Sequence, residues 1–305
     1  MLTAAAITNA MRGLIVGDAL GVPVEFCTRD ELDRDPVSHM RAYGTYKQPA
    51  GTWSDDSSMA LCTLESLTAG YDLEDMMTRF RDWNYEAYMT PHGTTFDIGF
   101  TCSDAISAFK ISGDHRTCGM SHERSNGNGS LMRIMPLSLA VSQWAPKEIV
   151  ARSSEVSALT HGHIRSQLCC AIYSLIVSRI AAGDDLAAAH SFAVTNVDVP
   201  EAEQEPLAGI LSGECMRRER DLVRSSGYVV HTLEASLWCL ANFANYPEAT
   251  LAAVNLGSDT DTTGAVTGGL AGLMYGDIPD QWWQETARHE DLDELINNFA
   301  ESYAA

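Results

Sequence analysis

The amino-acid sequence predicts a single all-α domain. Apolar residues recur at helical spacing along most of the chain. Strand-like composition is confined to one short aromatic stretch at 41–53, and prolines stand where helices begin. Taken in order, Tyr43, Tyr46 and Trp53 suggest a short hairpin or loop. Leu73, Met76, Met77 and Phe80 fit one helix face, with Asp72 placed to cap it. Pro146 opens a further helix. Leu168, Ala171, Ile172, Leu175, Ile176 and Ile180 form an almost all-round apolar helix ended by Gly183, which should be central. Leu233, Leu237, Leu240 and Ala241 make another face, Pro247 opens a helix, and Leu292, Leu295, Ile296 and Phe299 make the last. Stretches 111–130 and 196–228 read as long loops, which in compact domains are often functional. No period of 30–50 residues repeats, which excludes a solenoid.

Composition bounds the function. The 305 residues are read as one domain, 1–305, and 45% hydrophobic residues can fill its core. Twenty-three Gly and ten Pro are too few for a collagen or low-complexity chain. With 41 acidic and 20 basic residues the net charge is −21, which excludes non-specific nucleic-acid binding. Lysine occurs only at Lys47, Lys110 and Lys147, so a phosphate ligand would need local amides, Arg or His, or a bridging cation. The eight Cys contain no CxxC pair, and Cys169 and Cys170 lie in the apolar helix. They read as small buried hydrophobes in a reducing, cytoplasmic setting. The most apolar stretch, 165–179, falls short of the ~20 residues that span a bilayer. The N-terminus lacks a basic segment and Asp18 breaks its apolar run, so no signal peptide and no membrane partner are expected.

Two distant segments carry the chemistry. Ser54-Asp55-Asp56-Ser57 and Asp259-Thr260-Asp261-Thr262 each put carboxylates and hydroxyls just before a helical run. Each alone can be a helix cap, because acids and hydroxyls satisfy orphan amides at the positive helix end. Jointly they form a set of oxygen donors suited to Mg²⁺ or Mn²⁺, two of which could share bridging carboxylates. Zinc is disfavoured by the lack of Cys/His spacing, His161-Gly162-His163 being too sparse. After the second segment come Gly264, Gly268, Gly269 and Gly272, each costing a helix about 1 kcal/mol, for which close helix packing is one reason. Gly13, Gly17 and Gly21 show the same rhythm, with Asp18 as a helix-terminal acid. Glu25 stands among Val22, Val24 and Phe26, a setting that tunes a carboxylate pKa. Gly127-Asn128-Gly129-Ser130 is a candidate phosphate cradle without a Walker sequence, or an ordinary turn and cap.

In chain order these segments, with "FDIG" at 96–99 and "THGH" at 160–163, resemble the ADP-ribosylglycohydrolase family from Gly13 to Gly276. The resemblance implies a compact helical bundle whose cleft holds two Mg²⁺ or Mn²⁺ ions. It implies ligands at Ser54, Asp55, Asp56, Asp259, Asp261 and Thr262. It gives Glu25 a catalytic role beside the metals, with a ligand Asp such as Asp56 or Asp259 as the other candidate base. Asn128, Gly129, Ser130 and Leu131 match the pyrophosphate loop, His161 a residue near the phosphates, and Asp97 an acid that faces arginine. The implied reaction is hydrolysis of ADP-ribose from arginine on a modified protein, by a monomer that releases ADP-ribose. Serine- or nucleic-acid-linked ADP-ribose, an inert ADP-ribose binder and a different hard-metal hydrolase are the alternatives. Ser54 and Ser57 replace the family's usual Thr and keep the oxygen donor, whereas Phe100 stands where arginine-type members commonly carry Asn.

Overall fold

The computed structural model describes residues 2–304. The helices of the first half are α1 Ala4–Gly21, α2 Arg29–Arg34, α3 Asp55–Ala69, α4 Leu73–Glu86, α5 Phe100–Ser112, α6 Met135–Ala140, α7 Pro146–Ala158 and α8 Ile164–Ala181. Those of the second half are α9 Leu186–Thr195, α10 Glu201–Gln204, α11 Ala208–Ser212, α12 Val229–Asn242, α13 Tyr246–Val254, α14 Thr260–Tyr275, α15 Asp280–Glu285 and α16 His289–Tyr303. Among the described residues no β-strand forms, and the aromatic stretch contains only the isolated pairing of Tyr43 with Gln48. The predicted starts hold: the Asp72 side chain accepts from the Glu74 and Asp75 amides, and Pro146 and Pro247 lie in the first turns of α7 and α13.

The glycine rhythm is a helix crossing. A Cβ on Gly17 would stand 2.1 Å from the Gly264 carbonyl oxygen, and one on Gly13 would stand 2.3 Å from that of Gly268. Gly21 meets the Asp261 backbone and Gly272 meets the Asn9 carbonyl in the same way. Helices α1 and α14 therefore touch backbone to backbone, with no side chain between them. The helix cost of these glycines is offset by a contact that no larger residue permits.

Helix α8 is buried as expected, packed on α6, α7 and α9, but α1 and α14 form the pair around which the site is built. Its 18 residues exceed the 165–179 stretch expected from sequence, and it is long and apolar enough to cross a membrane by length and composition alone. That apolarity has a local cause, since 78% of it is buried inside the fold. The 196–228 stretch is a correction, for it is not one long loop. It holds α10, α11 and two 3₁₀ turns at 214–217 and 220–222. Elements of three to five residues are too short to display a period. They are pinned instead by ion pairs of Arg165 with Glu203 and of Arg218 with Glu214 and Glu234. The 111–130 stretch is irregular beyond Ser112 except for a 3₁₀ turn at His115–Thr117. All eight cysteines are free thiols, and all but Cys27 are buried.

Gly17→Ala is expected to destabilise the fold by about 3 kcal/mol or more, because the clash is with rigid backbone. Urea unfolding measures it, and a loss under about 0.5 kcal/mol would show that the two helices separate freely.

Candidate active site

Asp18 organises the site from inside α1. Its carboxylate accepts the Ser54 amide at 3.0 Å from both oxygens, the Ser57 amide at 3.0 Å, and the Ser54 and Ser57 hydroxyls at 2.9 and 2.5 Å. An acid in the last turn of a helix is unfavourable toward its own dipole, but Asp18 lies at the N-terminus of α3, where negative charge is favoured. It thus caps a helix from another helix. Ser54 also caps locally, accepting the Asp56 amide at 3.3 Å. Burial pushes the Asp18 carboxyl up to about 6, against these hydrogen bonds that favour its charge.

With α3 fixed to α1, and α1 fixed to α14, the two acidic helix starts meet. The Thr262 hydroxyl donates to Asp56 Oδ2 at 3.3 Å. Asp259 stands at the cap position of α14, yet its side chain caps nothing. Its Oδ2 accepts from Asn128 Nδ2 at 2.9 Å, and its Oδ1 has no partner. Asp56 Oδ1 and Asp261 Oδ2 are likewise buried and unpartnered. Capping therefore explains part of each segment, the Thr262 amide of α14 donating to Asp261 Oδ1 at 2.9 Å, and leaves the unpartnered oxygens of both unexplained. None of the salt bridges among the described residues uses Asp18, Glu25, Asp55, Asp56, Asp97, Asp259 or Asp261. Burial, followed by neighbouring carboxylates, pushes Asp55, Asp56 and Asp261 well above the usual carboxylate range. Burial raises Asp259 too, opposed by hydrogen bonds from Asn128 and Thr262.

Glu25 and Asp97 face this cluster from loops. Carboxylate oxygens of Glu25, Asp97 and Asp261 lie within 4.8 Å of one another. Burial and the Asp97 charge push the Glu25 carboxyl up to about 9. The Tyr46 hydroxyl lies 2.5 Å from Glu25 Oε2 and 2.5 Å from Asp97 Oδ1. The hydroxyl has a single hydrogen, so it donates to one of the two carboxyls at a time while staying in contact with both. Three buried carboxylates, each with an orphaned oxygen, beside a third cluster of close acids, make a donor set that fits hard divalent cations.

The cavity above these acids measures about 480 Å³ and is lined by Glu25, Asp55, Asp97, Asp259 and Thr262 on one side and by Gly127–Gly129, Arg124 and His161 on the other. Gly129 is obligatory there, since a Cβ would stand 2.8 Å from Cys102 Sγ and 2.9 Å from His161 Cε1. His161 is buried, its Nδ1 is taken by the Thr160 hydroxyl at 2.8 Å, and its Nε2 faces the glycine loop. Burial and Arg133 lower its pKa to about 3, so it is neutral. Arg133 is itself fully buried, donating to Thr160 Oγ1 and the Val156 carbonyl, with its guanidinium over the Phe80 ring. A neighbouring recess of about 680 Å³ shares Phe26 with this cavity but lacks the acid cluster.

The structure brings Glu25, Asp55, Asp56, Asp97, Asp259, Asp261 and Thr262 together, with Ser54 behind them on Asp18. Asn128 lines the cavity, but its amide is spent on Asp259 and on Thr232 Oγ1. Ser130 and Leu131 turn away: the Ser130 hydroxyl meets Ser157 and Cys170, and Leu131 joins the core. Sequence reasoning missed the capping role of Asp18, the Tyr46 hydroxyl and the buried Arg133. Tyr46 stood in the aromatic stretch at 41–53, and an aromatic run in a loop was the available signal.

Comparison with known proteins identifies the family and fold. A family model described as ADP-ribosylglycohydrolase matches residues 2–305. An ADP-ribosylarginine hydrolase Tri1 from Serratia proteamaculans is 33% identical over 94% of this chain and 76% of its own length. The ADP-ribosyl-[dinitrogen reductase] glycohydrolase of Rhodospirillum rubrum is 30% identical over 90% of this chain and 87% of its own. A solved structure titled ADP-ribosylglycohydrolase-related protein complex superposes with a TM-score of 0.83 at 29% identity, covering 98% of each chain.

Burial of so many carboxyls also sets how stability varies with pH. In the cation-free protein the folded chain holds protons that the unfolded chain releases. The contribution of these carboxyls to stability is therefore greatest at low pH and is lost as pH rises, through about 6 for Asp18 and about 9 for Glu25, whereas buried neutral His161 contributes in the opposite sense and destabilises the fold as pH falls below its ordinary value. Asp261→Asn removes one mutually repelling charge. In EDTA at pH 8 it is expected to raise the thermal midpoint by about 3 °C, and in Mg²⁺ to lower it relative to the unmodified chain. A lower midpoint for the variant in EDTA would show that Asp261 is not held against repulsion.

Proposed function

Because the chain belongs to the ADP-ribosylglycohydrolase family, we propose that it hydrolyses the N-glycosidic bond between ADP-ribose and an arginine side chain of a modified protein, using divalent cations. One observation carries this reading: carboxylate oxygens of Asp56, Asp259 and Asp261 are buried without hydrogen-bond partners, and those of Glu25, Asp97 and Asp261 lie within 4.8 Å of one another, beside a cavity lined also by a glycine loop. Asp55, Asp56, Asp259 and Asp261, with the Ser54 and Thr262 hydroxyls beside them, would hold two Mg²⁺ or Mn²⁺ ions. Such ions, when bound, supply Lewis-acid polarisation and anchor the hydroxyls of the terminal ribose.

The chain's own residues do the rest. The amides of Gly127 and Gly129 meet the diphosphate, that of Asn128 being donated to the Gly227 carbonyl, with neutral His161 behind the loop and Arg124 on the cavity wall. Glu25, whose ionised form would be favoured by divalent cations held beside it, accepts a proton from the attacking water as its oxygen bonds to C1″. The electron pair of the C1″–N bond leaves with the guanidine nitrogen, which is protonated to guanidinium by the proton that Glu25 took from water. Asp97 faces that cation and favours arginine over a neutral serine linkage. Charge building on the ribose ring in the transition state is stabilised by the surrounding carboxylates. The ADP-ribosyl-arginine specificity named for the Serratia relative supports the same substrate. We place the enzyme in the cytoplasm as a monomer, in keeping with its free cysteines.

Incubation with an ADP-ribosyl-arginine protein in Mg²⁺ or Mn²⁺ is expected to release intact ADP-ribose and unmodified arginine, read by mass spectrometry, and EDTA is expected to stop it. Asp259→Ala should lose at least about 100-fold in kcat while keeping its fold by circular dichroism. Full activity of that variant, or release of AMP instead of ADP-ribose, would overturn the assignment; turnover of a serine-linked substrate alone would move the linkage to serine.

A further inference from the structure

Three loops without helical hydrogen bonding meet at the mouth of the acidic cavity. The first carries Glu25 and Phe26, the second is the turn Tyr43–Gln48, and the third carries Phe96 and Asp97. Phe26, Tyr43, Lys47 and Asp97 all have positive φ, between 56° and 70°, which non-glycine residues adopt only when their surroundings hold them there. What holds them differs from loop to loop.

The first loop is tied to the start of α14, because the Phe26 amide donates to the Ser258 carbonyl at 2.7 Å. The second is fixed to the first. The Tyr43 amide closes the turn on the Gln48 carbonyl, the Thr45 amide donates to the Pro23 carbonyl at 3.0 Å, and the Thr45 hydroxyl donates to the Glu25 carbonyl at 2.7 Å. Gly44 lies so close to the Pro23 carbonyl that any side chain there would collide with it. The third loop is anchored on its own side of the cavity, where the Thr95 hydroxyl donates to the Trp83 carbonyl at 2.8 Å. Tyr46, at the tip of the rigid second turn, spans the gap. Its ring packs between Phe26 and Phe96, with centroids 6.5 and 5.1 Å away, and its hydroxyl lies 2.5 Å from both Glu25 and Asp97.

We propose that Tyr46 is a positioning residue whose hydroxyl clasps Asp97 to Glu25 and so holds the Asp97 loop over the acidic cavity. The ring alone would pack between Phe26 and Phe96 equally well as phenylalanine, so packing does not account for the hydroxyl. The clasp fixes the separation between Glu25 and Asp97, and hence between the groups assigned to the attacking water and to the departing guanidinium. Its kinetic consequence rests on the reaction proposed above; its structural consequence does not.

Tyr46→Phe removes the hydroxyl and keeps the ring. Against ADP-ribosyl-arginine its kcat is expected to fall about 10-fold or more with KM changed less than about threefold, the signature of misplaced reacting groups and not of lost binding. In parallel, hydrogen–deuterium exchange of the peptide covering 93–99 is expected to accelerate, with exchange in α1 and α14 unchanged. A variant with kcat within about threefold of the unmodified chain overturns the proposal. So does a drop in kcat without faster exchange, which would assign the hydroxyl to proton handling alone. If the unmodified chain does not turn over this substrate, the reaction reading fails, and the exchange arm still decides the clasp.

Discussion

The backbone contact between α1 and α14 is the constraint on which the site depends. Gly17 and Gly21 lie against the start of α14, and Asp18, between them in sequence, lies against the start of α3. One turn of α1 thus sets the spacing of two helix N-termini. Because the two backbones touch, neither helix can slide or rotate without a collision, and the acids that open α3 and α14 inherit that rigidity. The positive ends of both helices point at the acids, which lowers part of the cost of gathering them.

The cavity is divided electrically. On one side are buried carboxyls with no cationic partner among the described residues. The rest of its lining includes the glycine loop, neutral His161 and Arg124, with Arg133 buried beneath, a guanidinium whose hydrogen bonds go to the Thr160 hydroxyl and a carbonyl. A ligand with hydroxyls at one end and phosphates at the other matches this division. The overall charge of −21 does not. Local groups, and not the field of the whole molecule, select such an anion.

Much of this was legible in the sequence because periodicity and capping are local. The faces of α4, α8, α12 and α16 follow from spacing, Asp72 marks the start of α4, and the two prolines mark the starts of α7 and α13. The paired acidic segments and the glycine rhythm were visible as well, although only the structure shows that the glycines of α1 and α14 face one another. What stayed hidden depends on where a side chain points across a long sequence separation. Asp18 reads as an acid at the end of its own helix, and nothing in its neighbourhood announces Ser54 and Ser57. Tyr46 sits in a loop, where no period tells which side faces the acids. Asn128, Ser130 and Leu131 are adjacent in one motif, yet one bridges to Asp259, one faces Ser157, and one enters the core.

The pairing of α1 with α14 also places a demand on synthesis. Gly17 leaves the ribosome early and its partner Gly264 late, so at about 5–20 residues per second roughly 10–50 s separate them. Throughout that interval α1 can pack on α3 and α6 but lacks its α14 partner, and the Asp18 carboxylate holds α3 on an unfinished scaffold. The domain therefore completes itself after translation is nearly over.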